Sequence, residues 1–354
     1  MHLKHIGIIG GGQLARMLAM AALRLGCKIT IVDPQENAPA KNVATEYICA
    51  NYDDSHALEK LAKNCDIITY EFENVSVKAL SKVSCPIYPS VRALEISQDR
   101  YVEKNFFNSI NVKTADFVAI DSLEQLQKAL IKFNGDAILK TRRFGYDGHG
   151  QYRFTKDAVE NIAELWSKIQ NTPLILEKII PFKKEISIIA ARNLSGEISL
   201  FDIAENIHEH GILRKSSVPA NIDADVVKLV NEIAIKLLTK LNYVGVLAIE
   251  FFLLENGELL VNEFAPRVHN SGHWTEAACC ISQFEQHIRA ILDLPLLDPG
   301  RHSDCVMKNI LGDEINHIAN IFKQPNIFIN IYGKEEIKTK RKMGHFTELK
   351  SRLS

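Results

Sequence analysis

The chain opens on an apolar run, HIGIIG (5–10), and two further glycines. QLARMLAMAALRLG follows, with Leu14, Met17, Leu18, Ala21 and Leu25 on one helical stripe and Gly26 as a stop signal. KITIVD (28–33) predicts a second strand, Asp66 to Tyr70 a third, and Cys85 to Pro89 a short later one, with helical segments between. Strands alternating with helices predict an α/β fold with a doubly wound parallel sheet.

From about residue 100 the pattern changes. QDRYVEKNFFNSI (98–110) predicts a helix, DAILKT (136–141) a strand, and RRFGYDGHGQ (142–151) a glycine-rich loop. Residues 156–170 read as helix, PLILEKII (173–180) and EISIIAAR (185–192) as strands, 225–241 and 274–293 as helices, and 325–345 as short strands and turns.

The segment YVGVLAIEFFLLENGELLVNEF (243–264) holds two strand-like runs around Asn256-Gly257, a strong hairpin signal. With those two residues as the loop, Glu255 faces Glu258 and Glu250 lies opposite Glu263. Cross-strand Cβ atoms sit roughly 4.5–5.5 Å apart, where like charges repel unless a cation compensates. Paired carboxylates suit magnesium, and a solvated edge or a bulge that separates the acids is the alternative. NEFAPRVHNSGHWTEA (262–277) then strings amide, arginine and histidine side chains along a loop, which favours a catalytic surface.

Two glycine loops compete for a nucleotide. Gly10 to Ala15 fits the GxGxxA fingerprint between a strand and a helix, with Asp33 closing the second strand. Free N–H groups at a helix start favour an anion. A nicotinamide dinucleotide ranks first on this motif alone, and a monophosphate ester or an empty tight turn also fits. In the second loop, Gly145, Gly148 and Gly150 follow Lys140 and suit a flap over phosphates; a surface hairpin with solvated arginines is the plainer reading. Lysine, flap, paired carboxylates and Arg267 form an order that suits Mg-ATP.

Charge and cysteine usage narrow the classes. With 42 basic and 43 acidic residues there is no polyanion-binding field, so nucleic acid is not expected as a partner. Seven cysteines without CxxC spacing fit a reducing compartment. No apolar run approaches the roughly 20 residues of a membrane helix, and no signal-peptide pattern precedes the first strand, so a soluble, cytoplasmic protein is expected.

On GGGQLARM, TYEFENV, SQDR, RRFGYDGHGQ, LEKIIPFKKEISII, HEHGILRKSSVPA, NEFAPRVHNSGHW and YGKEEIKTKRKMGH, the chain resembles the ATP-grasp superfamily. Within it, the resemblance is to the 5-(carboxyamino)imidazole ribonucleotide synthetases of purine biosynthesis. It implies an N-terminal Rossmann-like domain (1–99), a small lid domain with the flap (100–176) and a large ATP-grasp domain with the C-terminal substrate segment (177–354), the ATP-binding part being α+β. It implies ATP and Mg2+, 5-aminoimidazole ribonucleotide and bicarbonate as substrates, carboxyphosphate as intermediate, and a homodimer.

Residue by residue, the resemblance gives Arg100, Lys140 and Gly145, Tyr146, Asp147, Gly148, His149, Gly150 and Gln151 to the ATP phosphates. Glu177, Lys178, Ile179 and Ile180 become the adenine hinge, with Glu185 on the ribose, His208 nearby, and Asn262 beside Glu263. Glu250 and Glu263 bind metal, and Tyr146, Arg267 and His269 surround bicarbonate. Gly12, Gln13, Leu14, Glu73, Lys334 and Arg341 hold the ribonucleotide, which turns the first glycine loop from cofactor site to substrate site.

Phe144 and Ala15 stand where family members often carry glycine, and Ala265, in keeping with the synthetases' own pattern, replaces the proline-preceding asparagine common in other ATP-grasp metal motifs. Trp274 reads as packing. The competing functions are another ATP-grasp ligase, such as a formate-using glycinamide ribonucleotide formyltransferase, a nicotinamide-dependent oxidoreductase, and a non-catalytic nucleotide-binding module.

Overall fold

The computed structural model describes residues 4–145, 150–155 and 162–351, which form three sheets. Strands β1 (His5–Ile9), β2 (Lys28–Asp33), β3 (Glu46–Cys49) and β4 (Ile67–Tyr70) are parallel, in the order β3-β2-β1-β4. Helix α1 (Gln13–Arg24) shares a core with Ile6, Ile8, Ile29 and Ile31, whereas α2 (Ser55–Asn64) shares one with Ile9, Val32 and Ile68. Strands β1, β2 and β4 thus bury both faces, which is why they read as apolar runs, whereas the edge strand β3 is only partly buried. Residues 85–89 contribute only an isolated bridge, Ile68 to Ile87.

Short helices α3 (Val77–Leu80) and α4 (Val91–Ser97) lead to α5 (Arg100–Ser109), whose N-cap Asp99 accepts from the N–H of Tyr101 at 3.1 Å. Phe107 on α5 packs edge-on against Phe264, with 5.9 Å between ring centroids, so this helix joins the core of the largest sheet.

The second sheet, antiparallel, has the order β5-β8-β6-β7, from β5 (Phe117–Ile120), β6 (Ala137–Thr141), β7 (Gln151–Phe154) and β8 (Leu174–Lys178). Helices α6 (Leu123–Lys132) and α7 (Ile162–Ile169) share its core. Because β8 runs to Lys178, Glu177 is a strand residue of this small sheet.

The third sheet has nine strands: β9 (Phe182–Arg192), β10 (Ile198–Leu200), β11 (Ala204–Glu209), β12 (Ile212–Val218), β13 (Gly245–Leu254), β14 (Leu259–Ala265), β15 (Asp304–Leu311), β16 (Ile327–Ile331) and β17 (Lys342–Lys350). Helix α8 (Ala224–Lys240) packs Val230, Ala234, Leu237 and Leu238 against it. The helix expected over 274–293 is instead two, α9 (Thr275–Ala278) and α10 (Gln283–Ile291). Cys279 is extended between them, and Ser282 starts α10 by accepting from the Glu285 N–H at 3.2 Å. That Ser-x-x-Glu start signal lies inside the span expected as a single helix and marks the break.

The hairpin also differs from expectation. Leu254 N–H bonds the Glu258 carbonyl at 2.9 Å, so the loop is the three residues 255–257, with Gly257 at φ +81°. Phe251 faces Val261, yet Glu250 still faces Glu263, because Asn262 is an extra residue on β14. A bulge offsets the longer loop, and the two acids meet as the two-residue count predicts.

Candidate active site

Where the small sheet meets α5 and β14, opposite charges are packed in pairs. Lys140 Nζ donates to Glu177 Oε2 at 2.9 Å, and Lys104 Nζ lies 3.5 Å from the same oxygen and 3.4 Å from the Asn262 carbonyl. Burial opposes ionisation of Glu177, but Lys104, Lys140 and Arg100 outweigh it and hold the carboxyl at about 2. Lys104 was missed from sequence; its i,i+4 spacing from Arg100 on α5 was the available signal. Glu177 Oε1 is buried without a partner, and among the N–H groups of Lys178, Ile179 and Ile180 only that of Ile180 lacks one among the described residues. One acceptor and one donor are thus left uncommitted on this segment.

Arg100 Nη1 donates to Glu263 Oε2 at 2.8 Å. Although burial works against it, Arg100 keeps the Glu263 carboxyl below its ordinary value. Glu250, across the hairpin, is pushed up to about 7 by burial and by the Glu263 charge. His208 Nδ1 and Glu185 Oε2 are 2.6 Å apart; burial lowers the imidazole, but Glu185 and Glu250 raise it above its ordinary value. Among the described residues no group of three or more acids, histidines or cysteines is placed to hold a metal. Two facing carboxylates, one of them short of compensating charge, fit a magnesium ion whose other ligands are phosphate oxygens and water.

Past Pro266 the loop turns toward the N-terminal sheet. Arg267 Nη2 lies 2.7 Å from Glu73 Oε1, while Arg267 Nε and both polar atoms of the Asn270 carboxamide are buried without partners. His269 Nδ1 accepts from the Ser271 N–H at 3.3 Å, so the imidazole proton is assigned to Nε2, 3.7 Å from Glu250 Oε1. Burial and Arg267 push its pKa well below the ordinary histidine range, leaving a neutral N–H donor. Asn270 belongs to the string of polar side chains expected to form a catalytic surface, although that pattern gives it no individual role.

The first glycine loop is held by carboxylates. Asp33 accepts from the Gly11 N–H at 2.7 Å, the Gln35 N–H at 2.8 Å and the Tyr52 hydroxyl at 2.8 Å. Three of its roughly four acceptor sites are taken, so holding this loop is its main work. Glu71 accepts from the Gly12 N–H and, at 2.9 Å, from the Ala15 N–H. A Cβ on Gly12 would lie 2.5 Å from Glu71 Oε1, so glycine is required for this approach. The N–H groups of Gln13 and Leu14 remain without partners among the described residues, enough for a phosphate monoester.

Of the C-terminal cations, Lys334 Nζ sits 5.6 Å from the centroid of the Tyr332 ring, and nearby Asn330 reaches α1 at Met17 Sδ, 3.6 Å away. Arg341 turns to the Glu336 carbonyl at 3.0 Å; its neighbour Lys342 is the member of this basic run whose charge acts on Glu250, His208 and His269. Trp274 is fully buried and edge-on to Phe201. Of the flap, Tyr146, Asp147, Gly148 and His149 lie outside the described residues. The loop is entered at Gly145, Gly150 adopts φ +71°, and Gln151 is exposed at the start of β7. Arg142 before it is not a solvated arginine: it forms a bidentate pair with Asp99, at 2.9 and 2.8 Å.

This arrangement can be set beside known proteins. Residues 3–98 match the ribonucleotide synthetase preATP-grasp domain, 105–284 the ATP-grasp domain, and 305–353 the phosphoribosylaminoimidazole carboxylase C-terminal domain. An N5-carboxyaminoimidazole ribonucleotide synthase of Brucella melitensis is 51% identical over 349 residues, 98% of this chain and 96% of that protein. The chain belongs to this family. An ADP complex of an N5-carboxyaminoimidazole ribonucleotide synthetase superposes with a TM-score of 0.94 at 41% identity, covering 99% of this chain and 93% of the other. The Aspergillus clavatus enzyme in complex with ADP and 5-aminoimidazole ribonucleotide gives 0.91 at 30% identity, over 98% and 94%. Among the described residues no helix is long and apolar enough to cross a membrane.

Proposed function

We propose that this chain carboxylates 5-aminoimidazole ribonucleotide at its exocyclic amine, using ATP and bicarbonate and releasing ADP and phosphate. The carrying observation is the junction of three sites at one loop: His269 Nε2 lies 3.7 Å from Glu250 Oε1, and Arg267 Nη2 lies 2.7 Å from Glu73 Oε1. The acid pair, the unpartnered polar atoms of Arg267 and Asn270, and the strand end beside the Gly12 loop therefore adjoin.

In this reading a bicarbonate oxygen attacks the γ-phosphorus of ATP, ADP leaves, and carboxyphosphate forms. Arg267 and the Asn270 amide hold the carboxyl group, and neutral His269 donates from Nε2 to a carboxyl or phosphoryl oxygen. The amine lone pair then forms the new carbon–nitrogen bond, phosphate departs with the carbon–oxygen electron pair, and the amine loses one proton. Lys140 and Arg100 hold phosphate oxygens, and Glu185 holds the ribose. Glu250 and Glu263 would hold magnesium, which supplies positive charge to the transferring phosphoryl group. The same reading divides the chain at 1–99, 100–176 and 177–354, with the second boundary moved past Lys178 so that β8 stays whole, closes the flap 145–151 over ATP, places the ribonucleotide phosphate between Gln13, Leu14, Lys334 and Arg341, and makes the enzyme a cytoplasmic homodimer.

Labelled bicarbonate tests it. Acid-labile label should appear only when ATP and the ribonucleotide are both present, with ADP in step. ADP release that follows formate instead of bicarbonate, or label that appears without the ribonucleotide, would overturn the reading.

A further inference from the structure

One face of α10, carrying Gln283 and His287, ties the reactive loop to the rest of the cleft. Gln283, wholly buried, accepts from the His269 N–H at 2.9 Å and donates from Nε2 to the His269 carbonyl at 2.7 Å. Its carboxamide thus bonds both backbone groups of His269, as a neighbouring strand would. Its own N–H is bonded to Thr275 Oγ1 at 3.0 Å, and that hydroxyl donates to the Gly272 carbonyl at 2.7 Å. A Cβ on Gly272 would lie 2.6 Å from Gln283 Oε1, so the close approach needs glycine there.

One turn further along, His287 is also wholly buried. Its Nδ1 accepts the Val246 N–H of β13 at 3.0 Å, which puts the proton on Nε2, facing Thr69 Oγ1 of β4 at 2.9 Å. Gly245 permits this contact, since a Cβ there would meet His287 Cε1 at 3.0 Å. Thr69 lies on the strand that leads to Glu73, and Glu73 holds Arg267. The contacts close a ring: Arg267, Glu73, β4, Thr69, His287, Gln283, His269, and back to Arg267.

We propose that Gln283 and His287 are positioning residues, fixing the Arg267–His269 loop against the N-terminal strand that presents the ribonucleotide, so that carboxyl transfer stays coupled to ATP cleavage. The proposal rests on the reaction proposed above. Two buried groups held at both ends leave the loop little freedom, and a displacement of about 1 Å at a reacting group is enough to cost on the order of 100-fold in rate. In the reaction proposed above, ATP is held by Arg100, Lys140 and Glu185, outside this loop, so its binding does not run through Gln283 or His287.

Gln286, on the same helix and equally buried, is the internal control, because it bonds Ser199 Oγ at 2.9 Å and the Leu297 carbonyl at 2.7 Å, away from the cleft. Gln283→Met and Gln286→Met should lose similar stability. Only Gln283→Met should raise the ADP released per carbamate formed, by about tenfold or more, with the Michaelis constant for ATP changed less than about twofold. Gln283→Glu, which keeps the acceptor for the His269 N–H, should fall between. His287→Gln, able to accept from Val246 and donate to Thr69, should restore the coupling that His287→Leu loses.

Amide exchange at His269 should quicken in Gln283→Met and not in Gln286→Met, a readout independent of turnover. Equal uncoupling in the two methionine variants, or unchanged exchange at His269, overturns the inference while leaving the reaction intact. A parent enzyme that fixes no bicarbonate sinks the reaction itself.

Discussion

Glu177 and Glu250 line the same cleft, and their surroundings drive them in opposite directions. Glu177 is met by Lys104 and Lys140 and is held at about 2; Glu250 meets Glu263 across the hairpin and is pushed up to about 7. The first has its counter-charge built into the chain. The second is short of one, and a site in that condition is poised for a cation delivered from outside.

The strongest way to break this comparison is to remove Glu177. Glu177→Leu would leave Lys104 and Lys140 buried without their shared carboxylate, and urea denaturation should show a loss of about 3–5 kcal/mol. A loss under about 1 kcal/mol would mean the lysines find other partners.

The hairpin acids should split by sign. Glu263→Gln takes the 2.8 Å partner from Arg100 and should cost the metal-free protein about 1–2 kcal/mol, a figure reduced because the Glu263 side chain is 40% exposed. Glu250→Gln removes a repelled charge and should add about 1 kcal/mol at pH 8. Both should lose magnesium-dependent ADP release. If the two variants shift the denaturation midpoint the same way, the asymmetry between the acids is wrong.

A smaller effect isolates burial without a facing acid. Glu276 is pushed up to about 7 mainly by burial, so the fold prefers its protonated form. That contribution is complete below the ordinary value of 4.5 and fades as pH rises through about 7. Glu276→Gln should match the parent near pH 5 and exceed it by about 1 kcal/mol at pH 8, a discounted figure since the side chain is 32% exposed. Parallel stability–pH curves would refute this.

The smallest effect concerns Phe144, which adopts φ +61° while 72% exposed. A left-handed conformation costs a side-chain-bearing residue roughly 1–2 kcal/mol, and little packing is lost on truncation. Phe144→Gly should raise the melting temperature by about 1–3 °C with kcat unchanged or higher. A lower melting temperature would show that the ring is needed.

Much of this was legible in the chain. Periodicity located β1, α1, β2 and α8, where packing follows the local pattern, and the family motifs brought the ATP-side residues to notice. Strands β11 and β12 carry residues such as Asn206, His208 and Ser216 and do not alternate cleanly, and β10 is only three residues long, so no periodicity announces them. For a related reason Lys104 does not stand out: it owes its surroundings to Glu177 and Asn262, far away in sequence. The Asn-Gly signal found the hairpin and missed its loop length, since a bulge is set by tertiary contact and not by turn chemistry.

The compensated hairpin makes an engineering handle. Pairing of β13 with β9 continues past the bulge, so the position of Glu250 is set by its neighbours and not by the turn. The turn itself is exposed, and a Cβ on Gly257 would meet nothing within 4 Å. A cysteine at Asn256 would carry a fluorophore about 20 Å from the acids, at roughly 3.3 Å per strand residue. A donor there and an acceptor on the far edge of the small sheet would report lid closure in real time, from a site that chemistry leaves alone.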